Sequence, residues 1–415
     1  MRKSRRRSAL GQGVFLLALV ARSASVHAQV LGEGRGHPVT LREAIDSALR
    51  HNVDLGASRS AADSARSETK IARAWPNPTL ATIPNTPFQY SATLPLDVGP
   101  QRSLRVEASR LGADAARADL GETNRQVILA VQRAFYDVLL ADAKATVVQG
   151  RRDVVRQVVS ADSARVRAGD LPVRALLRSQ LELLRTEADL ARAGIDRKVT
   201  RLTLQGLMGA EVNDTSLRVE GTMGYRELVS GPRIVRDTAI SARPDVQATR
   251  IREAQSGAAQ RLARLQVLPV PQLSYVRQFN APFESGHYYA FGVGFELPVL
   301  NRYTGQRERA DASHEMAGFA RRRVEAQARR EIQFAIVEFD AQRDLVLRYE
   351  AGVVGTMREN VDAARYAYQR GSTSLLELLD ALRTQQDMLT DYNQALHDYW
   401  LAAFALEAAT GVPVR

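Results

Sequence analysis

The stretch YYAFGVGFELPVL, residues 288–300, alternates with a period of two. Tyr289, Phe291, Val293, Phe295 and Leu297 form one apolar and aromatic set, and Ala290, Gly292, Gly294 and Glu296 form a small or polar one. Successive side chains of a strand point to opposite faces, so the stretch reads as a strand with two unlike sides. A soluble antiparallel sheet has such strands. So does a membrane barrel, whose strands show lipid one face and a polar lumen the other.

The N-terminus, MRKSRRRSALGQGVFLLALVARSASVHAQ, has a basic opening, a short apolar run and Val26-His27-Ala28 before Gln29. That is the pattern of a secretory signal peptide, expected over residues 1–28, and the run is short for a membrane helix. Residues 1–28 carry six basic and no acidic side chains, so the net charge of +11 falls to about +5 in the exported chain. So mild a balance gives no argument for nucleic acid. The chain has no cysteine, which excludes disulfides, thiolate metal sites and an N-terminal lipid-bearing cysteine. No later apolar run approaches a membrane helix, so a span across a bilayer would use strands.

An internal repeat sets the organisation. Residues 165–209 align without a gap on 367–411, placing Gly169 on Gly371, Gly209 on Gly411, and Leu176, Leu177 and Leu204 on Leu378, Leu379 and Leu406. Upstream, WPNPTL (75–80) matches LPVPQL (268–273), and LPLDVGPQR (94–102) matches LPVLNRYTGQR (297–307) with two extra residues. The expected units are 29–226 and 227–415, each reading helix, strand, strand, very long helix, Gly turn, helix.

Positions 127, 131, 134, 138, 141, 145, 148, 152, 155 and 159 follow a 4-3 spacing and are apolar except Arg152. A sustained 3.5-residue repeat packs helices side by side as coiled coil. From about Gln101 to Ala168 no residue stops a helix, which at 1.5 Å per residue gives roughly 100 Å. Segments 41–74 and 172–206 are each about half as long and would match it stacked end to end. A helix of that length needs long neighbours, in a bundle or an oligomer. The fold class expected is mainly α with a β-barrel part.

Residues 79–96 carry no charge until the strand ends, and Tyr90, Ala92, Leu94 and Leu96 alternate with Gln89, Ser91, Thr93 and Pro95. A third strand, 273–280, shows Leu273, Tyr275 and Phe279 on one face with Arg277 intruding. Four strands cannot close a barrel, and an open sheet edge is not tolerated in lipid. Two chains sharing a barrel would supply eight strands and three would supply twelve; the larger leaves room for an aqueous pore.

On AWPNPTL, ELPVLNRYTGQR, RVRAGDLPVRALLRSQLEL and YAYQRGSTSLLELLDALRTQQDMLTDYNQALHDY, the chain resembles the TolC-like outer-membrane efflux proteins across about 38–413. The likeness is to the branch serving heavy-metal and drug pumps of the resistance-nodulation-division type. It implies a homotrimer with a shared twelve-stranded barrel in the outer membrane and a helical tunnel in the periplasm. Its partners would be a periplasmic adaptor and an inner-membrane pump, and its role that of an exit duct without enzymatic activity or cofactor. Gly169 and Gly371 would sit at the two hairpin tips, with Arg165, Arg167, Asp170, Leu171, Gln369, Arg370 and Ser372 as adaptor contacts. Glu377 and Asp380 fall on the family's constriction acids, with Tyr368 beside them. Two departures stand out. Where some members pair an arginine with an acid, this chain has Thr373 and Ala175, with Arg178 at the repeat position of Asp380; and the lipid-bearing cysteine common in this branch is missing, which leaves anchoring to the barrel.

Plainer readings stand beside these. Glu377 and Asp380, i and i+3 on a helix, also fit a solvated face. The tip glycines fit ordinary helix C-caps, and the aromatics, Phe283 among them, fit the core of a soluble sheet. SHEM at 313–316 lacks the second histidine of a zinc motif, and no phosphate loop, nucleophile elbow or dinucleotide fingerprint occurs. The rivals to an efflux duct are the outer duct of a type I protein secretion system and a periplasmic coiled-coil adaptor or scaffold. The adaptor would carry one helical hairpin, whereas this sequence has two.

Overall fold

The computed structural model describes residues 38–84, 88–210, 217–228, 237–279 and 288–411, and of 237–238 and 353–358 the backbone. The expected signal peptide and Phe283 lie outside these residues. Strand β1 (Val39–Thr40) leads into α1 (Leu41–His51) and α2 (Val53–Arg73), then β2 (Thr79–Ile83), β3 (Phe88–Pro95), α3 (Pro100–Ala168) and α4 (Val173–Met208). After β4 (Val219–Glu220) come α5 (Asp237–Ala242), α6 (Pro244–Leu265), β5 (Pro271–Phe279), β6 (Tyr288–Phe295), α7 (Thr304–Glu350), α8 (Val353–Gln369) and α9 (Leu375–Thr410).

Helix α3 runs 69 residues without a break, about 100 Å. Its seam is buried at Val127, Val131, Ala134, Val138, Ala141, Ala145 and Val155, and half-buried at Val148, Arg152 and Val159. Arg152 pairs with Asp153 at 3.1 Å, which keeps its charge compensated at the edge of the seam. Helices α2 and α4 both lie along α3, one beyond the other.

The join between them is built by Asn52. Its Oδ1 accepts from the amides of Asp54 and Leu55, capping α2, while its Nδ2 donates to the carbonyl of Leu207 at 3.0 Å in the last turn of α4. Segment 41–74 is therefore two helices rather than one. An Asn with an acid two residues on satisfies the free amides of a new helix better than continuation does. At the α4 end Gly209 adopts φ +70°, and a Cβ there would stand 2.4 Å from the carbonyl oxygen of His51. Gly209→Ala should cost about 3 kcal/mol, left-handed strain plus overpacking, seen as a lower thermal midpoint of the extracted protein.

The long helix of the second half also differs from expectation: it divides into α7 and α8 at Ala351 and Gly352. Gly150, at the same repeat position, leaves α3 intact. Gly352 is followed by Val353, Val354 and Gly355, whereas Gly150 is followed by Arg151 and Arg152. Two glycines and two β-branched residues in succession remove the propensity that carries α3 through.

Three apolar clusters hold the helices. One joins α1, α2, α3, α4 and α9 around Leu55, Val131, Phe135, Leu204 and Phe404. A second joins α6, α7 and α9 around Ile332, Phe339 and Tyr399. The third, Val155, Val158, Val361, Tyr368, Leu378, Leu379 and Leu382, packs α3, α8 and α9 near the two Gly turns.

Strands β2, β3, β5 and β6 form one antiparallel sheet in that order. The register puts Tyr289, Phe291, Val293 and Phe295 opposite Arg277, Tyr275, Leu273 and Pro271, and these opposite Tyr90, Ala92 and Leu94 of β3. Strand β6 ends at Phe295, so Leu297 lies beyond it, correcting its assignment to the strand. Pro298 has no amide hydrogen and cannot extend the ladder.

Candidate functional site

The sheet has two unlike faces. One carries Leu80, Phe88, Tyr90, Leu94, Leu273, Tyr275, Phe279, Tyr289, Phe291, Val293 and Phe295; the other is mostly small or polar, with Gln89, Ser91, Thr93, Gln272, Ser274, Gln278, Ala290, Gly292 and Gly294, and also carries Ile83, Val276 and Tyr288. The apolar face is exposed: Leu80 78%, Tyr289 67%, Phe291 73%, Val293 60% and Phe295 57%, with Leu297 just outside at 69%. Arg277 does not spoil it, because its guanidinium lies over the ring of Phe279 at 4.7 Å. Among the described residues β2 and β6 are edges with no further partner. An exposed apolar face of this size marks a partner or a lipid surface, and bare edges require closure in either setting.

The two Gly turns follow α3 and α8, helices that the third apolar cluster packs together. Gly169 (φ +81°) and Gly371 (φ +74°) close α3 and α8 in left-handed caps. Asp170 N donates to Arg165 O at 2.9 Å and Gly169 N to Val166 O at 3.1 Å; Ser372 N donates to Ala367 O and Gly371 N to Tyr368 O, both at 3.0 Å. Both are the double-bonded glycine cap that ends a helix cleanly. Nothing lies within 4 Å of a Cβ built on either glycine. Arg167, Gly169, Asp170, Gln369, Arg370, Gly371 and Ser372 are exposed, and Arg165 and Leu171 half-buried. Arg370 lies over the ring of Tyr366 at 4.6 Å.

Helix α9 starts four residues after the second glycine. Ser374 caps it by accepting from Glu377 N at 3.3 Å, and Thr373 Oγ1 donates to the Glu377 carboxylate. Thr373 thus serves Glu377, at the position where the resemblance led one to look for an arginine. Glu377 and Asp380 share the exposed side of α9, while Leu378 and Leu379 between them are buried. The same side continues upward through exposed Thr384, Asp387 and Asp391. At 100° per residue the positions 377, 380, 384, 387 and 391 fall within an arc of about 80° and span about 21 Å. The sequence reading stopped at Asp380, although the 3-4-3-4 spacing was there to extend it.

Tyr368 does not share that face. It is buried, and its hydroxyl donates to Asp162 of α3 at 2.6 Å. Above it, buried Glu182 of α4 pairs with Arg151 of α3 and with Arg383 of α9 at 3.1 Å, while Arg151 also donates to Gln386 at 2.7 Å. Arg178 is exposed and Ala175 half-buried. Asp162 escaped the sequence reading because Tyr368 lies 206 residues on, and Glu182 because its bond to Arg383 spans 201 residues.

His397 was likewise missed. It is buried on α9 with Nε2 2.8 Å from Asp137 of α3 and Nδ1 2.8 Å from Asp398. Burial opposes the charged ring, but the bonds to both carboxylates outweigh it, so the pKa is held above the ordinary histidine value. A raised pKa stabilises the fold fully below the unfolded value and loses that contribution as pH rises through the folded one. His397→Gln should therefore cost about 1–3 kcal/mol in mild acid. The gap in thermal midpoint should narrow as pH is raised past the histidine range. Among the described residues no group of side chains is arranged to hold a metal ion, and no helix is long and apolar enough to cross a membrane.

Comparison with known proteins decides the family. The family model for outer membrane efflux proteins matches residues 44–210 and 235–412. The chain belongs to the outer membrane efflux protein family. It is 23% identical over 381 residues to the cobalt-zinc-cadmium resistance protein CzcC of Cupriavidus metallidurans, covering 90% of each chain. Its fold matches CusC with a TM-score of 0.76 at 18% identity, covering 89% of this chain and 91% of that one. It matches the Campylobacter jejuni outer membrane channel CmeC with a TM-score of 0.79 at 16% identity, over 89% and 85%. A match of 0.75 at 18% identity, over 90% and 89%, is to the open state of the Neisseria gonorrhoeae outer membrane channel MtrE. These likenesses establish a TolC-like fold, mostly helical with a strand-built end.

Proposed function

We propose that this protein is the passive exit duct of a tripartite efflux system in the outer membrane. The observation that carries the reading is the sheet: its apolar face is exposed and, among the described residues, both edges are bare. Three copies side by side would join β6 of one to β2 of the next and close twelve strands, with aromatics toward lipid and Ser, Gln and Gly toward a lumen. Residues 1–28 would direct export, and 29–226 and 227–415 would be tandem repeats of one helix-and-hairpin unit.

In this reading the α3–α4 and α8–α9 turns point into the periplasm, where Arg165, Arg167, Gly169, Asp170, Leu171, Gln369, Arg370, Gly371 and Ser372 meet an adaptor. The acid side of α9 lines the tunnel, its narrow end ringed by Glu377 and Asp380 from three chains, with Tyr368 packed behind. Carboxylate rings favour cations. Together with the metal-resistance name of the CzcC relative, this points to divalent metal ions as cargo. The role is conduction, not catalysis, as for the channels that share the fold. Planar-bilayer recording of the purified protein tests the reading: it requires discrete cation-preferring conductance, and a protein that never inserts would refute it.

A further inference from the structure

Asp398 extends the acid side of α9. At 100° per residue it falls inside the arc of positions 377, 380, 384, 387 and 391, about 32 Å further along the axis than Glu377. Its side chain is 38% exposed, and that of Asp137 on α3 is 47% exposed. Between the two carboxylates sits buried His397, with Nδ1 2.8 Å from Asp398 Oδ1 and Nε2 2.8 Å from Asp137 Oδ1. Each ring nitrogen thus faces an oxygen that, in an ionised carboxylate, only accepts. A neutral imidazole donates from one nitrogen alone, so this geometry calls for the ring with both protons. Burial opposes that charge, and the two bonds to carboxylates more than offset it.

Other charges surround the ring at greater remove. Lys144 of α3 donates to Gln394 Oε1 at 2.9 Å, and Gln394 Nε2 donates to Asp398 at 2.9 Å. Arg133 is exposed one turn before Asp137, and Asp391 lies two turns before Asp398 on the acid row. From α7 and the segment before α5, the charges of Arg343 and Glu227 bear on Tyr399, about 160° round α9 from His397. Of these side-chain types only imidazole ordinarily changes charge near neutral pH. Counting Lys144, the group is neutral with the ring protonated and carries one negative charge per chain without that proton.

We propose that His397 sets the charge of a second carboxylate collar in the tunnel, Asp137 and Asp398 of three chains, so that cation preference follows the proton on the ring. This deepens the reading of α9's acid side as tunnel lining and rests on it. With the proton in place, both carboxylates are tied to the ring. Once it passes to water, the neutral ring donates to only one of them, and the other turns its full charge to the tunnel. Rising pH therefore makes the collar more attractive to cations.

Reversal potentials in planar bilayers between about pH 6 and 9 test it, in about 10 mM salt, where charges act over about 30 Å. The wild-type cation-to-anion permeability ratio should rise on the order of twofold, as a unit charge about 10 Å away in water implies. The rise should have one midpoint, above the ordinary histidine value. His397→Gln keeps an amide donor but cannot be charged, so its ratio should stay at the wild-type high-pH level throughout. Asp398→Asn removes one carboxylate that holds the proton, so its midpoint should move down. A role in packing alone predicts lower thermal midpoints with the wild-type pH profile kept. That result, a flat wild-type profile, or a rise that persists in His397→Gln overturns the proposal. If His397→Gln fails to assemble, Asp398→Asn decides, and an unmoved midpoint overturns it. A pore whose ratio ignores pH removes this inference alone; a protein that forms no pore removes the duct reading as well.

Discussion

Neutralising the acid side of α9 should abolish cation preference without harming the fold. Glu377→Gln, Asp380→Asn, Asp387→Asn and Asp391→Asn together remove four exposed carboxylates per chain, twelve in a trimer. All four are exposed, so no packing is lost. Glutamine at 377 keeps the third residue of α9 able to accept from Thr373, which alanine would not. The expected result is a fall of about tenfold in the cation-to-anion permeability ratio, the equivalent of about 1.4 kcal/mol, with a larger conductance at the narrow end. Glu377 and Asp380 alone should account for most of it if the tip is the constriction. Thr384→Asp fills the one gap in the row and should move selectivity the other way. Unchanged ion preference in the four-site variant would mean that this side of α9 faces the outside of the tunnel.

The second large effect is at the turns. A bulky side chain at either tip, Gly371→Phe or Gly169→Phe, should cut metal export by an order of magnitude or more while trimers remain intact. Both glycines are in the left-handed region, so any side chain costs about 1–2 kcal/mol there. Around both there is open space, so no clash follows. The duct should fold and insert, and lose only what docks on its tips. Gly209 is the control: it has a similar φ, but the carbonyl of His51 stands where its Cβ would go. Gly209→Ala should lower stability, whereas Gly371→Phe should lower transport. Export with cross-linking to the adaptor separates them, and normal export in Gly371→Phe would move the docking surface elsewhere.

Much of this architecture is legible in the chain because its signals are local. The period-two run at 288–295 becomes β6, the uninterrupted stretch after Gln101 becomes α3, and Gly169 and Gly371 become caps of the expected hand. The Asn52 break was also written locally, in a capping residue with Asp54 two positions on. The division at Gly352 needed a comparison with Gly150, which breaks nothing in α3. What could not be read is what depends on contact between distant segments. Asp162 is an unremarkable acid on a charged helix until Tyr368, 206 residues later, is laid against it. His397 is bonded to Asp137, 260 residues earlier. Even Tyr368, singled out by resemblance to the family, is found in the packed layer rather than on the side that carries Glu377 and Asp380.

For the protein to act as a duct, the exposed sheet face must be closed by other copies of the chain in lipid. Outer-membrane fractionation followed by native mass measurement of the detergent-extracted protein addresses that directly. A heat-modifiable particle of three chains in the outer membrane is the result predicted, with Tyr289, Phe291, Val293 and Phe295 toward lipid. A soluble periplasmic monomer would contradict it, and the duct would go with the barrel.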